Sequence, residues 1–193
     1  MSRPPTSFGG KTPIRNPVVP RLQVGAATLT TMQLRSTTAT LLGGGILVGS
    51  IDALYAISFW APRGATPTRI FQSIAAGLLG RSAFEGGVAT ALLGVALHYF
   101  IALTIVVVYW FLSRRFGVLL RRYLLCGAAY GLGVYAVMNY VVIPLSANPR
   151  SRFNLSWVIW SVIVHALLIG IPAALTARLA RGIEHHPRPS TAV

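Results

Sequence analysis

The chain has 193 residues, of which 54% are hydrophobic and 10% charged, with a mean hydropathy of +0.64. A soluble domain carries about 25% charged residues, so this composition excludes an ordinary water-facing surface. Seventeen Lys and Arg against three acids (Asp52, Glu85 and Glu184) give a net charge of +14. In a soluble protein that balance would suggest nucleic acid. Here the basic residues lie between apolar runs and in the tails, which is the pattern of membrane topology, and no nucleic-acid-binding motif is present.

Residues 1–38 are rich in Pro, Thr, Ser and Arg and read as a disordered basic tail. The first apolar run begins only near Thr40, so no cleavable signal is expected, and Met32 offers an alternative translation start. From there the chain predicts an all-α polytopic bundle over residues 39–180. A spanning helix needs about 20 apolar residues, and four segments supply them: about 40–60, 86–112, 123–145 and 155–175. Strand-like alternation is absent and each run is too long for a barrel strand. Between the first two spans, residues 68–80 predict a short helix with a start at Pro67-Thr68, a stop at Gly80 and an apolar stripe of Ile70, Phe71, Ile74 and Leu78. It is too short to span and reads as interfacial or re-entrant, either a flat cap on the bundle or a lid. Residues 181–193 read as a second disordered tail.

Loop charge predicts the orientation. Twelve basic residues fall before the first span, between the second and third, and after the fourth; five (Arg63, Arg69, Arg81, Arg150 and Arg152) fall on the other side. The positive-inside rule puts both termini in the cytoplasm. Trp60 and Trp157 then form an outer aromatic belt with Trp160 one turn deeper, and Tyr109 and Trp110 an inner one. Arg114, Arg115, Arg121 and Arg122 read chiefly as a topology signal, with contact to anionic headgroups as the alternative.

Small residues at four-residue spacing mark close helix contacts: Gly45/Gly49, Gly127/Gly131 and, more weakly, Gly170/Ala174. These faces serve internal packing or association with a second copy or another membrane protein. Pro144 and Pro172 loosen the third and fourth helices, since proline donates no hydrogen bond; Pro172 takes one from Leu168. Cys126 is the only cysteine, so no intrachain disulfide can form, and it reads as a small packed residue.

The two halves invite comparison. An offset of 87 residues lays Asp52 on Asn139, Pro62-Arg63 on Pro149-Arg150 and Gly44 on Gly131. An offset of 67 lays His98 on His165, Val95 on Val162, Leu112 on Leu179 and Arg114 on Arg181. The difference is about the length of the short outer helix, so spans one and two would repeat as three and four in a parallel duplication.

Polar groups inside a bilayer are costly and are functional candidates by default. Asp52, His98, Asn139 and His165 come one from each span. At a rise of about 1.5 Å per residue, Asp52 and Asn139 lie roughly 12 and 9 Å from the outer ends of their helices, and the histidines roughly 15–18 Å in. Glu85 sits at the outer mouth of the second span. The quartet predicts either a hydrated polar cavity, in which Asp52 exchanges protons with one or both histidines, or hydrogen bonds that fix helix register. A metal site of His98, His165 and Asp52 has acceptable ligand types but no close ligand pair such as HxxxH. Nucleophile elbows, phosphate loops and dinucleotide fingerprints are absent. The expectation is therefore no catalytic residue, no metal and no cofactor.

Gly49-Ser50-Ile51-Asp52, Ile74 through Arg81, Leu97-His98, Val137-Met138-Asn139-Tyr140, Pro144-Leu145-Ser146 and Val164-His165 are the strings that carry a family resemblance. Over Leu41–Ala180 the chain resembles bacterial inner-membrane proteins of the YagU-like type, small multi-pass proteins without an assigned activity. The resemblance implies a bacterial inner-membrane location and brings no mechanism with it. Two functions remain open: conduction or sensing of protons or a small solute, which with four helices would call for a homodimer, or a non-catalytic subunit of a membrane complex.

Overall fold

The computed structural model describes residues 21–149 and 153–185, the side chains over 30–149 and 153–182. The described residues are helical without a strand. Helix α1 covers Arg21–Trp60, α2 Pro67–Leu79, α3 Gly87–Arg115 and α4 Val118–Arg121. Helix α5 runs Tyr123–Leu145 and α6 runs from Leu155 to His185. Four segments are long and apolar enough to cross a bilayer: Thr30–Arg63, Gly87–Arg115, Tyr123–Leu145 and Leu155–Gly182. Leu54, Leu92, Phe100, Phe111, Leu125 and Leu132 are exposed on their surfaces. That is costly in water and favourable in lipid, and the chain is a multi-pass membrane protein.

The helices match the sequence reading closely for α5 and extend it elsewhere. α1 begins at Arg21, so residues 21–38 are helical where a disordered tail is expected. Pro20 is the last proline before Pro62, and nothing between them breaks a helix. Its 40 residues make about 60 Å, twice the hydrocarbon thickness, so the first turns extend beyond the apolar layer. α6 likewise runs past the expected end at 175. Residues 1–20 and 186–193 of the expected tails, and Arg150 and Arg152 of the charge count, lie outside the described residues.

α6 is central: it packs against α1, α3 and α5, whereas α1 and α5 scarcely meet. The reason is an alanine and glycine face on α6. Gly170, Ala173, Ala174, Ala177 and Ala180 are all buried, and such a face lets backbones come close where the hydrophobic drive is absent. At the α5 crossing, a Cβ on Gly131 would collide with the His165 carbonyl and one on Gly170 with the Gly127 carbonyl. At the α1–α3 crossing, a Cβ on Gly45 would lie 3.0 Å from Leu103 and one on Gly49 2.8 Å from the Tyr99 ring. The Gly45/Gly49 and Gly127/Gly131 faces are thus filled within the chain.

Both prolines are absorbed without a break. A π-helical segment, Met138–Val142, precedes Pro144, and another, His165–Gly170, precedes Pro172. A widened turn accommodates the lost N–H and the ring's steric demand. α2 is a fixed roof over one end of the bundle. Thr66 caps it by accepting from the Arg69 N–H. Gln72 donates to the Gly87 carbonyl at 2.9 Å, Asn148 to the Ser73 carbonyl at 2.9 Å, and the Ala147 N–H to the Gly77 carbonyl at 2.9 Å. Gly94 of α3 lets the Phe71 backbone sit against it, since any Cβ there would overlap the Phe71 carbonyl.

Gly94→Ala should therefore lower unfolding free energy by about 1–3 kcal/mol, whereas Gly133→Ala, with nothing within 4 Å of the added methyl, should be near neutral. Titration with denaturing detergent in bicelles measures both.

Candidate functional site: a polar cavity beneath α2

At the end opposite α2 the bundle is closed. Tyr109, fully buried, donates to the Leu119 carbonyl at 3.0 Å, and Tyr130 donates to the Ile105 carbonyl at 2.8 Å. Their rings meet edge to face at 5.0 Å, over the alanine face of α6. Tyr109 is thus a core tie between α3 and α4, correcting its expected place in a lipid-facing belt. At the α2 end α6 meets α1 and α5 at few points, and the helices pack less tightly. They enclose a cavity of about 590 Å³ to which every helix except α4 contributes.

Asp52 of α1, Asn139 of α5 and His165 of α6 all line this cavity, together with Arg69 and Ser73 of α2, Asn148, Asn154 and Ser161. Its walls are otherwise apolar and aromatic, including Trp60, Trp157, Tyr135 and Phe84. Trp60 and Trp157, expected as a lipid belt, have ring centroids 5.4 Å apart. Tyr55 stacks on Trp157 at 5.0 Å and hydrogen-bonds to the Ser161 hydroxyl at 3.0 Å, tying α1 to α6 beside the cavity.

The fourth member of the quartet is placed differently. His98 is buried on α3, and its Nε2 lies 2.8 Å from the Gly49 carbonyl. A carbonyl only accepts, so Nε2 carries a proton and donates it. Phe71 and Tyr99 flank the ring edge to face at 6.0 and 5.4 Å. His98 therefore fixes the α1–α3 register and does not line the large cavity. It lines a second, small cavity of about 30 Å³, shared with Asp52 and His165 and otherwise walled by Val48, Ile101, Ala102, Ile105 and Ile169. That volume admits a water molecule. Asp52 and His165 thus border both spaces.

His165 and Asn139 are oriented by the same device. The Nδ1 of His165 donates to the Ser161 carbonyl at 2.8 Å, and the amide of Asn139 donates to the Tyr135 carbonyl at 2.9 Å. Each reaches back four residues at the onset of a π-helical segment, to a carbonyl that also accepts a backbone N–H, Ser161 from His165 and Tyr135 from Met138. With Nδ1 donating, the Nε2 of a neutral His165 is a proton acceptor, and it makes no protein hydrogen bond among the described residues. Asp52 likewise has no hydrogen bond or ion pair among them. Glu85 is exposed next to Phe84 and is not part of the cavity lining. The described residues contain no group of three His, Cys, Asp or Glu placed to hold a metal ion.

Arg69, Asn148, Asn154 and the Tyr55–Ser161 bond are contributions that the sequence reading missed. Tyr55 could have been found from its place one turn beyond Asp52 on the same helix face. Asn154 could have been found as an N-cap, since its side chain accepts from the Trp157 N–H at 3.0 Å. No protein-family model, curated protein or solved structure matches the chain.

The two histidines should separate in a stability measurement. His98→Ala removes an interhelical hydrogen bond and a packed ring. It should cost at least the roughly 0.6 kcal/mol of an average bond in lipid, whereas His165→Ala, which loses a bond within its own helix and an edge-to-face contact with Tyr135 at 5.4 Å but no interhelical hydrogen bond, should cost less. Unfolding of both variants in the same bicelles reads the difference.

Proposed function

We propose that the chain takes up protons or a small solute from the face of the membrane that carries α2. Asp52 is the charged group, His165 the proton acceptor beside it and Asn139 a polar wall. The observation that carries this reading is the convergence of three intramembrane polar residues from three helices on one cavity of about 590 Å³. Ligand sites commonly measure about 300–1,000 Å³, with apolar walls and a few placed polar groups. The aromatic and alanine core at the opposite end makes the cavity one-ended. That favours uptake by alternating access over a continuous pore.

In this reading both termini face the cytoplasm of a bacterium and the cavity opens outward. The support is the twelve-to-five distribution of basic residues and the resemblance to YagU-like inner-membrane proteins. The competing reading, a subunit that docks through its glycine faces, is weakened because Gly45, Gly49, Gly127 and Gly131 already pack against side chains and carbonyls of the same chain.

Proteoliposomes containing a pH-sensitive dye test the proposal. The wild type should show a pH-dependent flux that Asp52→Asn and His165→Ala abolish, with Glu85→Gln unaffected. Absence of flux from the folded wild type would instead make the polar residues packing elements.

A further inference from the structure

We infer that the cavity's ligand is a small organic monocation with an aromatic or branched apolar body, bound through Asp52 in competition with a proton. The inference rests on the proposed uptake function and specifies the solute. It follows from what the cavity contains and from what it lacks.

Asp52 and Arg69 are the charged side chains among the lining residues, and they form no ion pair with each other. Arg69 lies in the first turn of α2, is exposed, and holds its guanidinium over the Phe84 ring, 4.3 Å from the centroid. Asp52 is eight residues before Trp60 on α1, about 12 Å deeper by helical rise. A carboxylate at that depth is stable when protonated or when a counter-charge reaches it. No Lys or Arg of the described residues pairs with Asp52 there, which leaves a proton or a ligand cation as its partner.

A hydrated metal cation is a poor candidate. Hard cations take six or more oxygen ligands, carboxylates foremost, whereas Asp52 is the one carboxylate of the lining and no cluster of His, Cys, Asp or Glu is placed to hold a metal among the described residues. An organic cation brings its own apolar coat and needs only one carboxylate. Trp60, Trp157 and Tyr135 line the same space, and aromatic faces attract cations. The span from Asp52 to the tryptophans suits a charged head at the floor and an apolar body toward the roof.

One carboxylate holds a proton or a cation, but not both, so loading the ligand releases the proton. The titratable and charged groups set around Asp52 are Tyr55 on its own helix, Arg69 on α2, His98 on α3, Tyr135 on α5 and His165 on α6. Of these, His165 has its Nδ1 held by the Ser161 carbonyl and its Nε2 without a protein hydrogen bond among the described residues, which makes Nε2 the position to take the proton.

The test titrates the full chain in detergent with benzyltrimethylammonium, the neutral N,N-dimethylbenzamide and the anionic benzenesulfonate, following tryptophan fluorescence. The ammonium alone should bind saturably, more weakly at lower pH. Affinity should fall at least tenfold in Asp52→Asn, persist in the charge-retaining Asp52→Glu and stay unchanged in Glu85→Gln. Equal binding of the neutral amide, preference for the sulfonate, unchanged affinity in a folded Asp52→Asn, or no binding of any probe would overturn the inference. If proton flux survives such a result, the uptake reading stands and only the ligand class falls; if flux is absent too, both fall.

Discussion

Close backbone approach on one side of α6 is the constraint from which the other features follow. In lipid, helices associate by packing and hydrogen bonding, because the tails are as apolar as the side chains. The alanine and glycine face of α6 meets Gly127 and Gly131 of α5, and Thr176 sits against Gly44 of α1. These contacts draw the helices together at the α4 end. Toward α2 the same helices carry Trp60, Tyr135, Met138 and Trp157. There α6 meets α1 and α5 at few points, so a bundle tight at one end leaves a cavity at the other, and α2 roofs it.

Polar chemistry then falls where the packing leaves room. Asp52, Asn139 and His165 line the cavity, and His98 lies at the α1–α3 crossing, where the Gly49 carbonyl is within its reach. The prolines contribute as well. Each is preceded by a widened turn, and at its onset His165 and Asn139 donate from their side chains to the Ser161 and Tyr135 carbonyls. For His165 that fixes which nitrogen holds the proton and which remains open to accept one. A widened turn and a cavity-lining polar residue thus coincide ahead of Pro144 and of Pro172.

Much of this was legible in the sequence. The bounds of α5 follow from Arg122 and Pro144-Leu145-Ser146, because charge and turn residues punctuate an apolar run. α2 is legible from its stripe and from Gly80. The polar quartet stands out because an ionisable group in an apolar run is rare. What could not be read is the division within the quartet. His98 and His165 sit in similar apolar surroundings in sequence, and only the crossing at Gly49 makes one a register pin. The glycine pairs were ambiguous for the same reason: a small residue records that something comes close, without recording what. The early start of α1 was masked by composition, since its Thr and Arg resemble a polar tail while nothing after Pro20 interrupts a helix.

The central claim is that water from the α2 side reaches deep into the bundle. The direct measurement is labelling of Asn139→Cys, in a Cys126→Ser background, with a membrane-impermeant cationic thiol reagent applied to intact cells. The account predicts rapid labelling from the outside, slowed by prior addition of benzyltrimethylammonium. A folded variant that is labelled only after denaturation would contradict it, and the interior of the bundle would then be dry.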